Sequence, residues 1–457
     1  MNSRIALLPW GDAIEDFLDP LDITLEQFRD EVEGGWLFGY VDALARVGVQ
    51  TVIVCFSERL ADPVAWRHKP TGAELIVIPL PRSARRLRQL LEDRYAWSAR
   101  AAASTCRGPR RLAALAAHEL APYCVTAVRP LARALRSRGA AAVLCQEYEY
   151  QRFDVAVLLG RALGLPVFGT FQGGDAPRTW LERPLRRLAL RSCDGLIVAS
   201  DAEVKRVRST YGVARARIAR IPNPLDIELW DQARRGAWRD GTSEARALRV
   251  IWHGRVDMHR KGLDVLLDAW AAVSQRTDLP PRELVLVGSG ADDDKLRERL
   301  ASCSLAGVTW VRGYELDKRK LADRLAASDL YVFPSRHEGF PVALLEAMAC
   351  GLGVVAADAP GVSEILPDDE LSGGRVVPRG DAGALASAIA EFLADAARRE
   401  QAGAAASRRV TEAFTLDAVG ESLRDFLLTP PQTRATPRRG AAPWRAGAAA
   451  LWLGRVQ

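Results

Sequence analysis

Short apolar runs alternate with longer amphipathic segments along most of this 457-residue chain. The runs Arg4–Trp10 and Thr51–Phe56 are apolar at nearly every position, as is typical of strands buried on both faces of a parallel sheet. A helical segment separates most runs from the next, and this βαβα order predicts parallel sheets with helices on both faces. The pattern restarts at Leu248 after an interruption, so we predict an α/β fold with two Rossmann-like domains.

The predicted organisation has five parts. Residues 1–231 form an N-terminal Rossmann-like domain, 232–247 a linker with glycines and charges, and 248–410 a C-terminal Rossmann-like domain. Residues 411–427 form a further helix. The tail, 428–457, is rich in Pro, Ala and Gly and carries five Arg and no acid. Such a composition predicts disorder, and its Trp and Arg residues suit contact with a membrane interface as an alternative.

Cysteine usage and the N-terminus favour a cytoplasmic protein. The seven cysteines are scattered, odd in number and never spaced as Cys-x-x-Cys, which is typical of reduced thiols. Met1–Trp10 lacks the basic start and long apolar core of a signal peptide, and no run approaches the roughly 18 apolar residues of a membrane span. We expect a cytoplasmic protein, with peripheral attachment to the inner face of the membrane as a variant.

The net charge of +6 comes almost entirely from arginine, and charge alone is weak evidence for nucleic acid, so no nucleic-acid partner is expected. The most basic stretch, Arg82–Arg138, is predicted to form two or more helices. Apolar and cationic residues recur there at helical spacing: Leu87, Leu90 and Leu91, and Arg85, Arg86, Arg88 and Arg94. This pattern fits either an ordinary solvated helix face or a surface that docks on an anionic membrane.

A strand, a loop and a helix between Leu330 and Gly351 carry two acids eight positions apart, Glu338 and Glu346. Pro341 suits the first turn of the helix because its missing N–H has no partner there. A helix N-terminus beyond an open sheet suits a phosphate, and carboxylates suit the hydroxyls of a sugar or ribose. The pattern indicates a site for a phosphate-linked sugar. The alternative is a surface Glu338 and a partly exposed Glu346 without function.

Gly34 and Gly35 lie at the first predicted βα turn, after an acidic connection over 12–33 and before a helix over 37–47. A glycine pair lets the backbone approach a ligand closely, and ordinary turn geometry is the alternative explanation. We therefore treat both glycines as candidates for ligand contact.

Four motifs in order resemble glycosyltransferase family 4, a family of retaining nucleotide-sugar glycosyltransferases. They are His253-Gly254-Arg255 with Lys261-Gly262, Leu286 to Gly290, Val311-Arg312-Gly313, and Pro334-Ser335 ahead of Glu338 to Gly351. The resemblance spans residue 4 to about residue 427 and is strongest over 250–366. It implies a GT-B fold, with two facing Rossmann-like domains. The first would bind the acceptor and the second the nucleotide-sugar donor, and the helix over 411–427 would cross back to the first.

The resemblance also implies roles for individual residues. Arg255 and Lys261 match the basic pair that neutralises the donor diphosphate. Glu338 matches the first acid of the family's Glu-x7-Glu motif, beside the donor sugar, and completes the expected catalytic set. Glu346 matches the second acid, which accepts hydrogen bonds from the ribose. The other expected donor-binding residues, several of them through backbone N–H groups, are Gly288, Gly339, Phe340, Pro341 and Val342.

Gln172 stands where many relatives carry a histidine near the reacting centre. Glutamine donates and accepts hydrogen bonds but does not exchange a proton near neutrality, so we expect Gln172 to position the acceptor, with Gly34 and Gly35 on the same side. Asp292-Asp293-Asp294 is better explained by helix capping than by metal binding. A helix dipole with Arg255 and Lys261 can replace a metal, so no cofactor is expected.

The expected function is transfer of a sugar, with retention, from a nucleotide-sugar donor to a glycan, lipid-linked or small-molecule acceptor. The resemblance favours front-face return over double displacement through Glu338, and the residues alone leave both routes open. One alternative function is a catalytically silent nucleotide-sugar-binding protein. Another is a GT-B epimerase or phosphorylase, against which the Glu-x7-Glu order and the lack of a pyridoxal-bearing lysine motif both argue.

Overall fold

Two β-sheets organise the chain. The structure, a computed structural model, describes residues 3–9, 13–91, 108–174, 181–237, 246–302 and 305–429. Within these ranges one sheet has eight strands and the other has six. Each sheet is formed by its own part of the chain, which is the two-domain α/β arrangement predicted above.

The first sheet has the order β3-β4-β2-β1-β5-β6-β7-β8, and all neighbouring pairs are parallel except β3 with β4. Chain order reverses at β1, which lies between β2 and β5. Ligands of open parallel sheets bind beyond the carboxyl ends of the strands at such a point. The strands are β1 Arg4–Leu8, β2 Gln50–Ser57, β3 Val64–Arg67, β4 Glu74–Pro79, β5 Ala142–Cys145, β6 Val167–Thr170, β7 Gly195–Val198 and β8 Ile218–Arg220.

The second sheet has the order β11-β10-β9-β12-β13-β14, with every pair parallel. Its order reverses at β9, between β10 and β12, so the loops that follow β9 and β12 lie side by side. The strands are β9 Leu248–His253, β10 Arg282–Gly288, β11 Val308–Arg312, β12 Leu330–Phe333, β13 Val354–Ala357 and β14 Gly374–Val377.

Helices cover both faces of the two sheets. Those before the second sheet are α1 Glu15–Leu18, α2 Leu25–Asp30, α3 Gly35–Arg46, α4 Arg82–Arg88, α5 Pro109–Cys124, α6 Val128–Ser137, α7 Gln151–Leu163, α8 Glu182–Ser192, α9 Asp201–Tyr211 and α10 Ile227–Ala237. The later ones are α11 Leu263–Ser274, α12 Asp293–Ser302, α13 Lys318–Ala326, α14 Val342–Ala349, α15 Val362–Ile365, α16 Ala382–Ala394, α17 Ala396–Ala413 and α18 Leu416–Leu428.

Strand residues alternate between two core layers in each domain. In β1, Ala6 and Leu8 pack into one apolar cluster while Ile5 and Leu7 pack into the cluster on the opposite face. The second sheet is likewise covered on both faces. Burial on both faces explains why the strands read as continuous apolar runs.

Helix α18 returns to the first domain. Leu416, Val419, Leu423 and Leu427 recur at helical spacing and are buried in a core layer of the first sheet, where α18 packs against α3. The chain therefore crosses back as the resemblance implies, and the crossing helix, Leu416–Leu428, begins within the expected segment 411–427.

The expected linker, 232–247, begins as regular structure. Helix α10 continues to Ala237, because its apolar side, which includes Ile227 and the buried Trp230, packs on the core of the second domain. Residues 238–245 lie outside the described residues, as does the predicted disordered tail from residue 430.

The acidic connection expected over 12–33 is largely helical. It contains α1, a 3-10 helix at Asp19–Leu21, and α2. Helix α2 begins with a capping box formed by Thr24 and Gln27. Leu18 and Phe28 are fully buried, so apolar residues placed between the acids turn this segment into a part of the core. The antiparallel edge strand β3 and helix α17 were also not expected from the sequence.

The prediction of a cationic face on the first helix after Arg82 is wrong in part. Arg88 is buried and pairs with Asp16 at 2.7 Å, and the Arg85 guanidinium donates to the Leu60 carbonyl at 2.5 Å. Two of the four arginines therefore anchor α4, and Arg94 lies outside the described residues.

Two further findings concern the cysteines and the length of the helices. Five cysteines in the described ranges are unpaired, and Cys106 and Cys303 lie outside those ranges; the five are Cys55, Cys124, Cys145, Cys193 and Cys350. No helix in the described part of the chain is both long enough and apolar enough to cross a bilayer.

Candidate active site

The reversal points of the two sheets face each other across a cleft. Loops that follow β5 and β6 form one wall, and loops that follow β9 and β12 form the other. The walls touch at the Gly173 carbonyl, which accepts from Arg260 Nη2 at 3.1 Å and lies 3.3 Å from His337 Nε2. The two walls therefore meet next to Gln172 and Glu338, two of the positions that the sequence analysis selected.

Glu338 and Lys261 form an ion pair in this cleft. Glu338 lies on the loop after β12 and Lys261 on the loop after β9, and Lys261 Nζ is 2.6 Å from Glu338 Oε1. The loop ends at Pro341, which is the N-cap of α14, one position before the first-turn place expected for it. The half-buried Val342 begins the helix, so the free N–H groups of the helix N-terminus come directly after this loop.

Glu346 is buried and paired, not partly exposed. Its Oε2 is 2.8 Å from His253 Nε2 and its Oε1 is 3.3 Å from Lys318 Nζ. Burial opposes ionisation of this carboxyl, but the Lys318 charge and the His253 hydrogen bond outweigh burial and lower its pKa to about 2. The Glu346 carboxylate is therefore a hydrogen-bond acceptor held in a fixed position beside His253, at the end of β9.

Arg255 and Gly288 complete the loops beside this carboxylate. The Arg255 side chain is exposed on the β9 loop, and no hydrogen bond or ion pair joins it to any residue in the described ranges. Gly288 ends β10 with a φ of +140°, and an added methyl group there would overlap the Gly254 carbonyl. A residue without Cβ is thus required for the two loops to approach.

The backbones of the two domains come into contact at Gly339. An added methyl group on Gly339 would overlap the backbone of Gln172 and Gly173, and one on Gly173 would lie 2.8 Å from the Gly339 nitrogen. The next residue, Phe340, buries its ring against Phe414 with 5.7 Å between ring centroids. Phe340 therefore anchors the loop through its side chain and leaves its backbone at the cleft.

The glycine pair of the first domain faces the second domain. Gly34 and Gly35 both have positive φ, at +69° and +63°, and α3 begins at Gly35. An added methyl group on Gly34 would lie 3.3 Å from Lys318 Cε. The N-terminus of α3 is therefore adjacent to the Lys318–Glu346 pair.

Gln172 is held by hydrogen bonds from its side chain and from its backbone. Its side chain exchanges two hydrogen bonds with Asn223, at 2.9 and 3.1 Å, and its Nε2 also donates to the Thr170 hydroxyl at 3.3 Å. Glu147, which is buried beneath it, accepts the Gln172 N–H at 3.0 Å and the Gly174 N–H at 2.8 Å. Burial raises the pKa of Glu147 to about 7.

The aspartate triplet braces loops near the start of α12. The Asp292 carboxylate accepts the Met258 N–H from a neighbouring loop, and that of Asp293 accepts the Gly290 N–H just before the helix. The first bond adds a contact between loops to the helix-capping role expected for the triplet. Within the described residues, no group of three His, Cys, Asp or Glu side chains is arranged to hold a metal ion. Metal-independent chemistry remains a prediction.

The structure thus brings loops of both domains that carry expected residues into contact, while the exposed Arg255 side chain bonds to none of them. The structure adds four residues to which sequence reasoning assigned no role: His253, Lys318, Asn223 and Glu147. His253 belongs to a quoted motif, and Asn223 has a proline on each side, so both carried a weak signal. Lys318 and Glu147 carried none, because the partner of Lys318 lies 28 positions away and the Gln172 N–H that Glu147 accepts lies 25 positions away.

Two family models together match most of the chain. One, described as Glycosyltransferase Family 4, matches residues 37–229, and another, described as Glycosyl transferases group 1, matches residues 247–395. The two matches follow the two sheets. The chain belongs to glycosyltransferase family 4. The expected family is therefore confirmed, and each half of the cleft lies in a matched region.

Known proteins give the same family and fold. The phosphatidyl-myo-inositol mannosyltransferase of Mycolicibacterium smegmatis is 36% identical over 193 residues, which are 42% of this chain and 46% of that relative. The matched part thus spans less than half of that relative's length. Among solved structures, sucrose-phosphate synthase from Thermosynechococcus elongatus superposes with a TM-score of 0.64 at 21% identity, covering 92% of this chain and 97% of that one.

A second solved structure shows the same architecture. HepE of Anabaena, in complex with UDP, has a TM-score of 0.63 at 17% identity and covers 93% of this chain and 99% of its own. The fold of this family 4 member is therefore GT-B, as expected.

Proposed function

We propose that the protein is a retaining glycosyltransferase that moves a sugar from a nucleoside diphosphate donor to a hydroxyl acceptor. The observation that carries the proposal is the Lys261–Glu338 ion pair, at 2.6 Å, in a cleft whose opposite wall holds Gln172. Charged groups for a diphosphate and neutral groups for an alcohol thus meet at one place.

The second domain binds the donor in this proposal. Glu346, a carboxylate with a pKa of about 2, accepts hydrogen bonds from the ribose hydroxyls. Arg255 and Lys261 meet the diphosphate, because a guanidinium fork and an ammonium both bind phosphate oxygens well. The backbone N–H groups of Gly339, Phe340 and Val342, with the positive end of α14, hold sugar hydroxyls and the distal phosphate. The UDP in the HepE complex, a protein of the same fold, is a ligand of this class.

The transfer step breaks the bond between the anomeric carbon and the diphosphate oxygen. A bond from the anomeric carbon to the acceptor oxygen forms on the same face, and the acceptor proton passes to the departing phosphate. Glu338 is paired with Lys261, and a neutralised carboxylate is a weak nucleophile. This pairing supports front-face return, in which positioned cations stabilise the charge that develops on the leaving group.

Incubation with nucleotide sugars tests the proposal. A panel of UDP, GDP and ADP in a thermal-shift assay selects the nucleotide, since a ligand at a hundred times its dissociation constant stabilises by about 2.7 kcal/mol. The matching sugar donors should then release nucleoside diphosphate on turnover, and the anomeric configuration of the product tests retention. Binding without release would favour the catalytically silent alternative, and a donor with altered sugar stereochemistry would favour an epimerase.

We also propose a lipid-linked acceptor at a membrane, because the M. smegmatis relative is named for phosphatidyl-myo-inositol. Helices α5, α7 and α8 pack side by side and expose Leu112 (71%), Leu158 (57%) and Leu188 (39%). Exposed arginines accompany them on the same helices: Arg110, Arg111, Arg161, Arg183 and Arg187. Leucine with arginine suits an anionic bilayer. The unpaired cysteines support a reducing cytoplasmic setting for this surface.

Vesicle sedimentation tests the membrane surface. The protein should bind vesicles with anionic lipid, release them as salt shortens the Debye length, and lose binding in the Leu112→Glu/Leu158→Glu variant. Leu371, which is 87% exposed on the second domain, provides the matched control, and Leu371→Glu should bind as the wild type does. Equal binding to neutral vesicles would contradict the proposal.

A further inference from the structure

Asn223 lies where the chain passes from the first domain to the second, between β8 and α10. Its side chain sits in a loop and is nevertheless 1% exposed. A buried amide needs hydrogen-bond partners, and a proline on each side, Pro222 and Pro224, restricts the backbone around it. The local sequence therefore holds this amide in one place.

Asn223 forms a reciprocal amide pair with Gln172. Asn223 Nδ2 donates to Gln172 Oε1 at 2.9 Å, and Gln172 Nε2 donates to Asn223 Oδ1 at 3.1 Å. Rotation of either amide group would place donor against donor and acceptor against acceptor. The pair therefore fixes the orientation of the residue that faces the acceptor.

The same amide reaches the donor loop. Asn223 Nδ2 also donates to the Phe340 carbonyl at 3.3 Å, and Phe340 is held by its buried ring. Asn223 thus links Gln172, 51 positions earlier, with Phe340, 117 positions later. It is bonded to both walls of the cleft at once.

We infer that Asn223 is a positioning residue that ties Gln172 to the donor loop and so sets the spacing between acceptor and donor. The expected effect on transfer rests on the proposed function. The link between Asn223, Gln172 and the donor loop rests on the geometry alone. Asn223 touches Gln172 and a backbone carbonyl, so its effect on transfer acts through them. Without the tie, the acceptor hydroxyl is held less well and water competes for the anomeric carbon.

Asn223→Ala should lower the transfer rate by about 10²-fold, the loss that follows a displacement of about 1 Å in a reacting group. The fraction of donor that is hydrolysed should rise. The dissociation constant for nucleoside diphosphate should change by less than about threefold, because Glu346 and Lys261 are separate from the tie. A defect confined to folding would not shift donor from transfer to hydrolysis.

An exchange of the two amides tests the pair directly. Gln172→Asn with Asn223→Gln keeps both amide groups and the combined side-chain length, and it should restore most of the transfer lost in Asn223→Ala. Gln50, an exposed amide at the start of β2, gives the control Gln50→Ala, which should behave as the wild type does. If Asn223→Ala fails to fold, Gln172→Ala removes the other amide of the pair, which is only half-buried. This variant should show the same rise in donor hydrolysis.

Amide hydrogen exchange gives a readout without turnover. Exchange in segments 170–174 and 337–342 should accelerate in Asn223→Ala and return to the wild-type rate in the exchanged double variant. A wild type that releases no nucleoside diphosphate from any donor overturns the proposed function, while the exchange data still decide the tie. Wild-type exchange in Asn223→Ala, or a rate loss that the double variant leaves uncorrected, overturns the inference.

Discussion

The two walls of the cleft hold a buried carboxylate in opposite ways. Glu346, on the donor wall, is paired with Lys318 and His253, and its pKa falls to about 2. Glu147, on the acceptor wall, accepts backbone N–H groups, and burial raises its pKa to about 7. The contrast fits the two proposed substrates, because a diphosphate requires fixed charge to bind, whereas an alcohol requires orientation. Four predictions test this contrast, from the largest effect to the smallest.

Arg255→Ala with Lys261→Ala should abolish transfer if the donor wall carries the charge chemistry. Removal of one donor to a developing negative charge costs about 10²–10³-fold in rate, so the double variant should lose about 10⁴-fold or more. Release of nucleoside diphosphate measures the loss, and circular dichroism checks the fold. Arg276, an exposed arginine paired with Asp278, gives the control Arg276→Ala. Retained activity in the double variant would remove both residues from the diphosphate site.

Glu346→Ala should weaken both folding and nucleotide binding. Breaking a buried ion pair leaves a charge without a partner and costs about 3–5 kcal/mol, and loss of a charge-assisted ribose bond should weaken binding about tenfold or more. Denaturant unfolding and calorimetry measure the two effects.

A second substitution separates these two effects of Glu346. In the Glu346→Ala background, Lys318→Met removes the unpaired ammonium and should recover part of the stability. It should leave the nucleotide affinity low, because the ribose acceptor is still missing. Nucleotide affinity unchanged by Glu346→Ala alone would exclude the carboxylate from the donor site.

Gly339→Ala should disturb the contact between the walls. The added methyl group overlaps the backbone of Gln172, so the walls must separate, and a shift of this kind costs about 10–10²-fold in rate. Gly236, in α10, has no atom within 4 Å of an added Cβ, and Gly236→Ala is the control, expected to stabilise slightly. Steady-state kinetics with saturating donor measure the effect. Wild-type rates in Gly339→Ala would mean that the walls need not touch.

The two carboxylates should also give opposite pH dependences of stability. The pKa of Glu147 is raised from 4.5 to about 7 in the folded state, so its contribution is fully present below pH 4.5 and is lost as pH rises to about 7. The pKa of Glu346 is lowered from 4.5 to about 2, so its contribution is present above pH 4.5 and is lost as pH falls toward 2.

The free energy of unfolding, measured between pH 4.5 and 7, tests the predicted pH dependence of the Glu147 contribution. Wild type and Glu147→Gln should differ in slope by up to about 1.4 kcal/mol per pH unit, the limit for one proton. Burial also raises the pKa of Asp42 to about 7, and this contribution cancels in the difference because both proteins carry it. Equal slopes would show that Glu147 stays ionised in the folded protein.

Local pattern predicted a large part of the fold. The predicted runs Arg4–Trp10 and Thr51–Phe56 match β1 and β2 to within two residues at each end, because continuous apolar runs mark strands buried on both faces. The donor loop was recognised for a similar reason, since Glu338 and Glu346 lie close in sequence. Helices α1 and α2 were missed because their acidic residues obscured the apolar positions that pack into the core.

Side-chain pairing could not be predicted in the same way. Arg88 looks like a surface cation in the sequence, but the position of Asp16 in the folded chain turns it into a buried anchor. Lys318 has no local signature, and its role appears when α13 and α14 pack together. Asn223 appeared as one residue in a proline-flanked segment, and its two partners lie on different domains.

By itself, the sequence determined two α/β domains, the family and the candidate donor residues, because periodicity and short motifs depend on neighbouring residues. Tertiary structure alone decided that Glu346 is paired, that Gln172 is tied to Asn223, and that Glu147 is buried beneath it. These pairs join residues from 25 to 93 positions apart, and their contact is set by the register of packed strands and helices.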